Sequence, residues 1–503
     1  MSGLNNIQTA PGVYVAENQA GFAPVEISPF NRTYIVGSGL IGEYASPKQV
    51  VDISDAISKF GILPASVNAR AIELFFANYR QAVLFYVRSP IGAFWTVTIA
   101  GTPSPGDDIS LLLGGVPVSA TYSVTPEAAA DMTTLLDELI EEINNEAKIA
   151  AIAIAERPDP TAGTFNLRLL DPTSVVDSTY INVSTSGGAG VTASATFASE
   201  TALHPSRDDF LWTLSNAFDP EVNEAGFLTA PEAFKYLPVL ADRLAVGQKM
   251  HDVAASIGFD WFAIIDCGAP AEIPDPAAAQ KEGKLYSAPL GHAAYYYPYL
   301  IDVNDEEVPP SMAVAAIAIR RYALKGIKQP PAGPKFPIAG VLDVKYRIRS
   351  QQRAVINPDG INAIIYKPNI GVLIYGARTR SENPFYRFIN GRIVLNVLKK
   401  TIQEALQTYA FEAPDGEGVF FIEIRAMATA IASRFWSDGA IYGSSLDEAF
   451  AVKIDRENNP DLDLESGNVN LDIYAVPSPT VERIFGSVER VAIGQISSVS
   501  RRL

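Results

Sequence analysis

Few residues of this 503-residue chain have the types and spacing that chemistry needs. Gly37, Gly39 and Gly42 follow the strand-like run Thr33 to Val36 in "RTYIVGSGLIGEY" and spell a dinucleotide-binding turn. Such a turn works only if a helix begins at the glycines, so that its free N–H groups meet the pyrophosphate. Here "EYASPKQVVD" follows, and Pro47 would break a helix started at Gly42. The helix signal comes later, at "SDAISKF". A loop needing positive φ after a buried strand fits these letters better than a nucleotide site. The competing reading is a nucleotide-dependent oxidoreductase, which tight NAD binding would favour.

Other candidates dissolve in the same way. "DRENNPDLDLES" (455–466) gathers carboxylates, but a calcium loop starting at Asp455 needs Gly and Glu where Pro460 and Ser466 stand. A polar turn with Asn-Asn-Pro chemistry is the better reading. His204, His251 and His292 are widely spaced, and Cys267 is the only cysteine, set in the apolar run "WFAIIDCG". A buried, inert thiol and no metal site are expected. G-x-S-x-G and P-loop patterns are missing, and "YYYPY" (295–299) lacks a flanking basic groove, so it reads as core. The sequence predicts no catalytic, metal or cofactor-binding residues and no cofactor.

Composition narrows the class. Hydrophobic residues are 48% and charged residues 19%, enough to bury a sizeable core. The net charge of −17 argues against nucleic acid as a direct partner. The apolar run "MAVAAIAI" stops at Arg320 and is too short for a bilayer, and the N-terminus lacks a secretory pattern. A soluble chain made in the cytoplasm, with no membrane insertion, is expected. Charge is uneven: residues 341–503 hold 19 basic and 19 acidic side chains, so the first 340 carry the whole excess. Within 341–400 there are 11 basic and 3 acidic residues, which suggests a face built to meet a negative surface.

The elements that would position these residues divide the chain. Residues 1–20 read as an arm, with Val13 and Val15 on one strand face and Tyr14 on the other. Residues 21–90 read strand, helix ("ISDAISKFG", closed by Gly61), helix ("VNARAIELFFANY") and buried strand ("AVLFYVRS"). Residues 91–204 turn to short strands split by Gly and Pro. One helix interrupts them, beginning around Thr125-Pro126, with the stripe Met132, Leu135, Leu136, Leu139, Ile140 and Ile143. Residues 205–340 return to α/β: "PEAFKYLPVLADRLAVGQKMHDVAASIG" is helical and "FDWFAIIDC" a central strand. Residues 341–480 hold a strand pair around "NAIIYKPNIGVLIYGART" and the helix "RIVLNVLKKTIQEALQTYAF". That helix sets Val394, Leu398, Ile402, Ala405 and Tyr409 against Arg392, Asn396, Lys399 and Gln403. A helix over "FIEIRAMATAIASRFWSDG" and a strand at "NVNLDIYAVP" follow. Residues 481–503 carry the last strand-like run. The fold class expected is α/β (α+β), multidomain, with a β-rich insertion.

Several blocks taken in order resemble the tail sheath proteins of contractile bacteriophages and related contractile injection machines. They are "PGVYVAE", "TYIVG", "SPKQVVDISDAISKFG", "YYYPYL", "VPPSMAVAAIAIRRYA", "INPDGINAIIYKPNIGVLIYGART", "FYRFINGRIVLNVLKKTIQEALQTYAFE", "FWSDGAIYGSSLDEAFAVKID" and "VPSPTVERI". The resemblance covers roughly 1–90 and 280–503; 91–204 falls where that family carries variable outer insertions. It implies no enzymatic activity, and an α/β sheath core built from 21–90 with 341–480. Subunits would form stacked hexameric rings around a tail tube protein and shorten to drive it through an envelope. Baseplate and tail terminator proteins would be further partners, with assembly in the host cytoplasm and residence in the virion tail or a non-viral counterpart. Terminal arms that add to a neighbour's sheet edge are expected at Val13, Tyr14 and Val15 and at Val488, Glu489, Arg490 and Val491. Arg392, Lys399 and Lys400 are the expected tube-facing cations. A self-assembling tube or surface layer is the remaining alternative.

Overall fold

The computed structural model describes residues 27, 29–39, 41–91, 95–101, 108–113, 116–121, 132–146, 153–156, 163–169, 181–186, 191–197, 204–256, 258–416 and 418–483. Val13, Tyr14, Val15, Val488, Glu489, Arg490 and Val491 lie outside the described residues.

The first segment runs β1 (Arg32–Gly37), β2 (Lys48–Val50), α1 (Ile53–Phe60), α2 (Val67–Asn78) and β3 (Val83–Arg88). Local chemistry sets the helix ends. The Asp52 carboxylate accepts from the Asp55 amide at 2.8 Å, and Gly61 closes α1 in the left-handed region at φ 60°. Ser66 caps α2 by accepting from the Ala69 amide at 3.2 Å.

The insertion follows as β4 (Trp95–Gly101), β5 (Asp108–Leu113), β6 (Val116–Thr121), α3 (Met132–Asn145), β7 (Ala153–Glu156), β8 (Thr164–Leu169), β9 (Ile181–Ser186) and β10 (Val191–Phe197). These strands pair only with one another among the described residues, in the orders β10-β4-β8-β7 and β6-β5-β9. Leu136, Leu139 and Ile143 of α3 are buried, as its apolar stripe requires. The described helix begins at Met132; Thr125 and Pro126 lie outside the described residues.

Residues 204–340 give α4 (Arg207–Asn216), β11 (Gly226–Thr229), α5 (Pro231–Tyr236), α6 (Leu240–Ala255), β12 (Phe262–Asp266), α7 (Pro276–Leu285), β13 (Ala293–Tyr297), β14 (Leu300–Asp302), β15 (Glu307–Val308) and α8 (Ser311–Lys325). The expected single helical run splits into α5 and α6 at Pro238, which has no N–H to continue a helix. The last segment supplies β16 (Val341–Val344), α9 (Ser350–Ile356), β17 (Ile361–Lys367), β18 (Gly371–Ile374), α10 (Ile389–Leu406), α11 (Val419–Ser437), α12 (Leu446–Ala449), β19 (Phe450–Lys453), α13 (Asp461–Glu465) and β20 (Asp472–Ala475).

One eight-stranded sheet unites three of these segments in the order β18-β17-β13-β12-β11-β1-β3-β2. From β17 to β3 every neighbouring pair is parallel; β18 and β2 close the two edges antiparallel. The sheet crosses the boundaries drawn at 204 and 340: β11, β12 and β13 form its middle, flanked by strands from either end of the chain. Central strands buried on both faces explain the unbroken apolar runs. Tyr295, Tyr296, Tyr297 and Tyr299 are all buried, so "YYYPY" is core. Tyr34 stacks on Trp261 at 4.2 Å and on Phe85 at 5.1 Å, tying the first segment to the third. Cys267 is buried at the end of β12, and burial pushes its thiol pKa well up. No helix among the described residues is long and apolar enough to cross a membrane.

Candidate functional site

The topology puts a crevice where a nucleotide would bind. From β1 the chain moves to β3 on one side and later returns to β11 on the other, so the order reverses between β1 and β11. The glycine turn sits at that point, but the chain's own carboxylate fills it. Glu232, 2% exposed at the start of α5, accepts from the Ser38 amide at 2.6 Å and from the Ser38 hydroxyl at 2.7 Å. The Asn68 amide donates to the same carboxylate at 2.6 Å. Burial raises the Glu232 pKa above its usual range. The fully buried Arg88 braces the loop, donating to the Gly39 carbonyl at 2.7 Å and to the Gly42 carbonyl at 2.5 Å.

The glycines have two reasons. Gly42 takes φ 94°, the positive φ expected. Gly37 and Gly39 instead permit close approach: an added Cβ would lie 2.4 Å from Asn68 Nδ2 at the first and 2.5 Å from the Phe60 carbonyl at the second. The next regular helix, α1, starts only at Ile53. Nothing in linear spacing links Glu232 to Ser38, 194 residues earlier, so this partner is not legible in the sequence.

At Asp455 the carboxylate closes its own turn, accepting from the Glu457 amide at 2.9 Å and the Asn458 amide at 3.4 Å. Among the described residues no cluster of His, Cys, Asp and Glu could hold a metal ion.

The more distinctive site lies around α10. Its apolar face behaves as the periodicity predicts, with Val394, Leu398 and Ile402 buried. The opposite face is covered at Arg392 and Asn396 and exposed at Lys399 and Gln403. Arg392 is 8% exposed; its Nε donates to Asn396 Oδ1 at 2.7 Å, and its guanidinium lies 5.4 Å from the Tyr386 ring centre. Burial lowers the Arg392 pKa. Asn396 is fully buried and donates to the Trp261 carbonyl at 3.1 Å. Lys399 pairs with the buried Asp260 at 2.9 Å while its side chain stays half exposed. Lys400 is 8% exposed. Of the three cations expected to face the tube, the single chain buries Arg392 and Lys400 and leaves Lys399 at the rim.

Beside Lys399 runs an open groove of about 740 Å³ between α10 and the segment 469–475. Leu395, Leu398, Ile402 and Leu406 form one wall; Leu471 and Ile473 form the other. β20 borders it and pairs with β19 as a two-stranded ribbon, Phe450 opposite Ala475 through Lys453 opposite Asp472. No other strand pairs with either among the described residues. The ribbon therefore presents unpaired strand edges next to an apolar trough, the arrangement that invites an added strand.

No protein-family model matches the sequence, and no curated protein matches it. Solved structures do match in fold. A chain of the anti-feeding prophage baseplate, six-fold symmetrised, superposes with TM-score 0.56 at 17% identity, covering 96% of this chain and 99% of that one. The sheath complex of PVC, an extracellular contractile injection system, in its contracted state gives TM-score 0.55 at 16% identity over 97% of this chain and 98% of that one. The helical sheath of the anti-feeding prophage in its contracted state gives TM-score 0.53 at 16% identity over 96% and 99%. The chain has the fold of the sheath proteins of contractile injection systems.

Proposed function

We propose that this protein is the structural subunit of a contractile sheath, without enzymatic activity. The observation that carries the reading is a fold shared with contracted-state sheaths over nearly the whole of both chains. Copies would stack as hexameric rings around a tube, hold an extended form until a baseplate releases it, and drive the tube forward on shortening. The work comes from two packings of one subunit, which agrees with a nucleotide crevice occupied by Glu232.

The ribbon β19–β20 is the seat we propose for the neighbours' arms. A strand containing Val13, Tyr14 and Val15, or one containing Val488, Glu489, Arg490 and Val491, would complete its open edges. Each added backbone bond nets only about 0.5–1.5 kcal/mol, but repetition in every subunit makes a mesh that survives while the bodies move. Lys399, at the groove rim, is the cation we retain for contact with an acidic tube; Arg392 and Lys400 would support α10 from within.

The setting is a contractile bacteriophage tail or a non-viral injection machine, and the likeness to the structures named above is one of fold. In a bacteriophage the same subunit would belong to the virion tail, with a tail terminator as a further partner, and serve genome delivery. Negative-stain electron microscopy of the purified chain tests the sheath reading. Striated cylinders are expected; small monodisperse particles at high concentration would overturn it.

A further inference from the structure

We infer that the ion pair Arg378–Glu482 is a clasp that fixes where the C-terminal segment leaves the body of the subunit. The segment 476–482 has no regular secondary structure, yet it is strapped to the body along its length. The Val476 carbonyl accepts from the Tyr442 amide at 2.8 Å, and the Ser478 amide donates to the Ala440 carbonyl at 2.9 Å. The Asn390 side-chain amide, at the start of α10, donates to the Ser478 carbonyl at 2.9 Å, and the Thr480 hydroxyl donates back to Asn390 Oδ1. The last contact is the strongest. Arg378 Nη2 and Nε donate to Glu482 Oε2 and Oε1 at 2.7 and 3.1 Å, a bidentate fork.

The body side of this fork is rigid. The Arg378 amide donates to Asn362 Oδ1 at 2.7 Å, and the Arg378 carbonyl accepts from Asn362 Nδ2 at 2.7 Å, so a buried side chain of β17 clamps its backbone on both sides. Arg378 Nη1 also reaches the Pro358 carbonyl at 3.3 Å. Both partners of the pair are largely shielded, with side-chain exposures of 10% and 18%, so solvent screens the fork less than a surface pair. A preorganised cation thus meets the one carboxylate of the strap, immediately before the residues proposed as an exchanged arm.

The consequence rests on the sheath reading. If the arm of one copy must reach the ribbon of another, its starting point must be the same in every copy. Arg378 and Glu482 act as positioning residues: they set the origin of the lever, so that the pivot lies beyond Glu482 and not at Val476.

The full-length chain tests this with Glu482→Ala, Glu482→Arg and the swap Arg378→Glu with Glu482→Arg. Amide hydrogen exchange over 476–483 reads the clasp in the unassembled subunit, and electron microscopy reads cylinder yield. Both single variants should speed exchange at least tenfold and cut cylinder yield severalfold without lowering Tm by more than a few degrees. The swap should recover both. Unchanged exchange in the single variants would show that the pair does not hold the strap. Faster exchange with wild-type cylinder yield would show that the arm's origin does not depend on it. If the wild-type chain forms no cylinders, the sheath reading fails, while hydrogen exchange still decides the clasp.

Discussion

Two buried carboxylates show how much a single residue's surroundings decide. Glu232 is satisfied by Ser38 and Asn68 and serves as an internal hydrogen-bond acceptor for the glycine turn. Asp266, at the end of β12, is fully buried and has one partner, the Ser311 amide, 2.8 Å from Oδ1 at the start of α8; its Oδ2 has none. Burial pushes the Asp266 pKa up to about 7. Between the ordinary carboxylate range and that value, the folded chain keeps a proton that the unfolded chain has released. Asp266 therefore favours the folded state at low pH, and that contribution is lost as pH rises through about 7. Asp302 and Asp343 work in the opposite sense: their lowered pKa values give stability that is lost as pH falls. Asp266→Asn keeps an acceptor for Ser311 and removes the titration. The Tm of the variant relative to wild type should climb from pH 4 to pH 7, by up to about 1.4 kcal/mol of stability per pH unit. A difference that stays flat across that range would mean Asp266 remains ionised in the fold.

At the scale of elements, the legible parts are those whose cause is local. Asp52 and Gly61 announce the ends of α1, the run "AVLFYVRS" announces a strand buried on both faces, and "YKPNIG" marks the turn between β17 and β18. The polar side of α10 shows why the rest was not. Periodicity locates Arg392 and Asn396 opposite Val394 and Leu398, but says nothing about whether that side meets water. The chain lays it over the Trp261 and Leu290 carbonyls, contacts of long sequence separation. The trough on the remaining side of α10 was equally invisible, because its second wall comes from Leu471 and Ile473. Its role can be separated from folding. Leu395 and Leu406 are only partly buried in the single chain, so replacing both with Glu should cost roughly 1 kcal/mol each at most. In the assembly the same two carboxylates would have to be desolvated beneath an added strand. The double variant should give a folded subunit with near-wild-type circular dichroism and no cylinders; cylinders at wild-type yield would remove the trough from the assembly contact.

The whole molecule is an acidic body with a basic stretch and an appendage. Copies carrying −17 each repel, so a polymer of them needs contacts that set the positive stretch 341–400 against acidic surface, and moderate salt should ease assembly by screening the remainder. The appendage is the insertion. Its shift in composition is readable at both boundaries, and its strands form two sheets that share no pairing with the eight-stranded one among the described residues. The body closes beneath it: the Thr213 hydroxyl donates to the Ser89 hydroxyl at 2.8 Å, and the Ser89 amide donates to the Gly37 carbonyl at 2.8 Å, so the chain before and after the insertion already meets at the end of β1. A short Gly/Ser linker can therefore span the gap left by residues 92–203 without straining the sheet. That deletion should yield a soluble subunit whose thermal transition stays cooperative, because the core loses none of its strands. If the insertion faces outward, cylinders of the deleted chain should keep their striation spacing and shrink in diameter. A deleted chain that aggregates, or melts without a cooperative transition, would instead make the insertion part of the folding core, and an unchanged diameter would place it away from the outer surface.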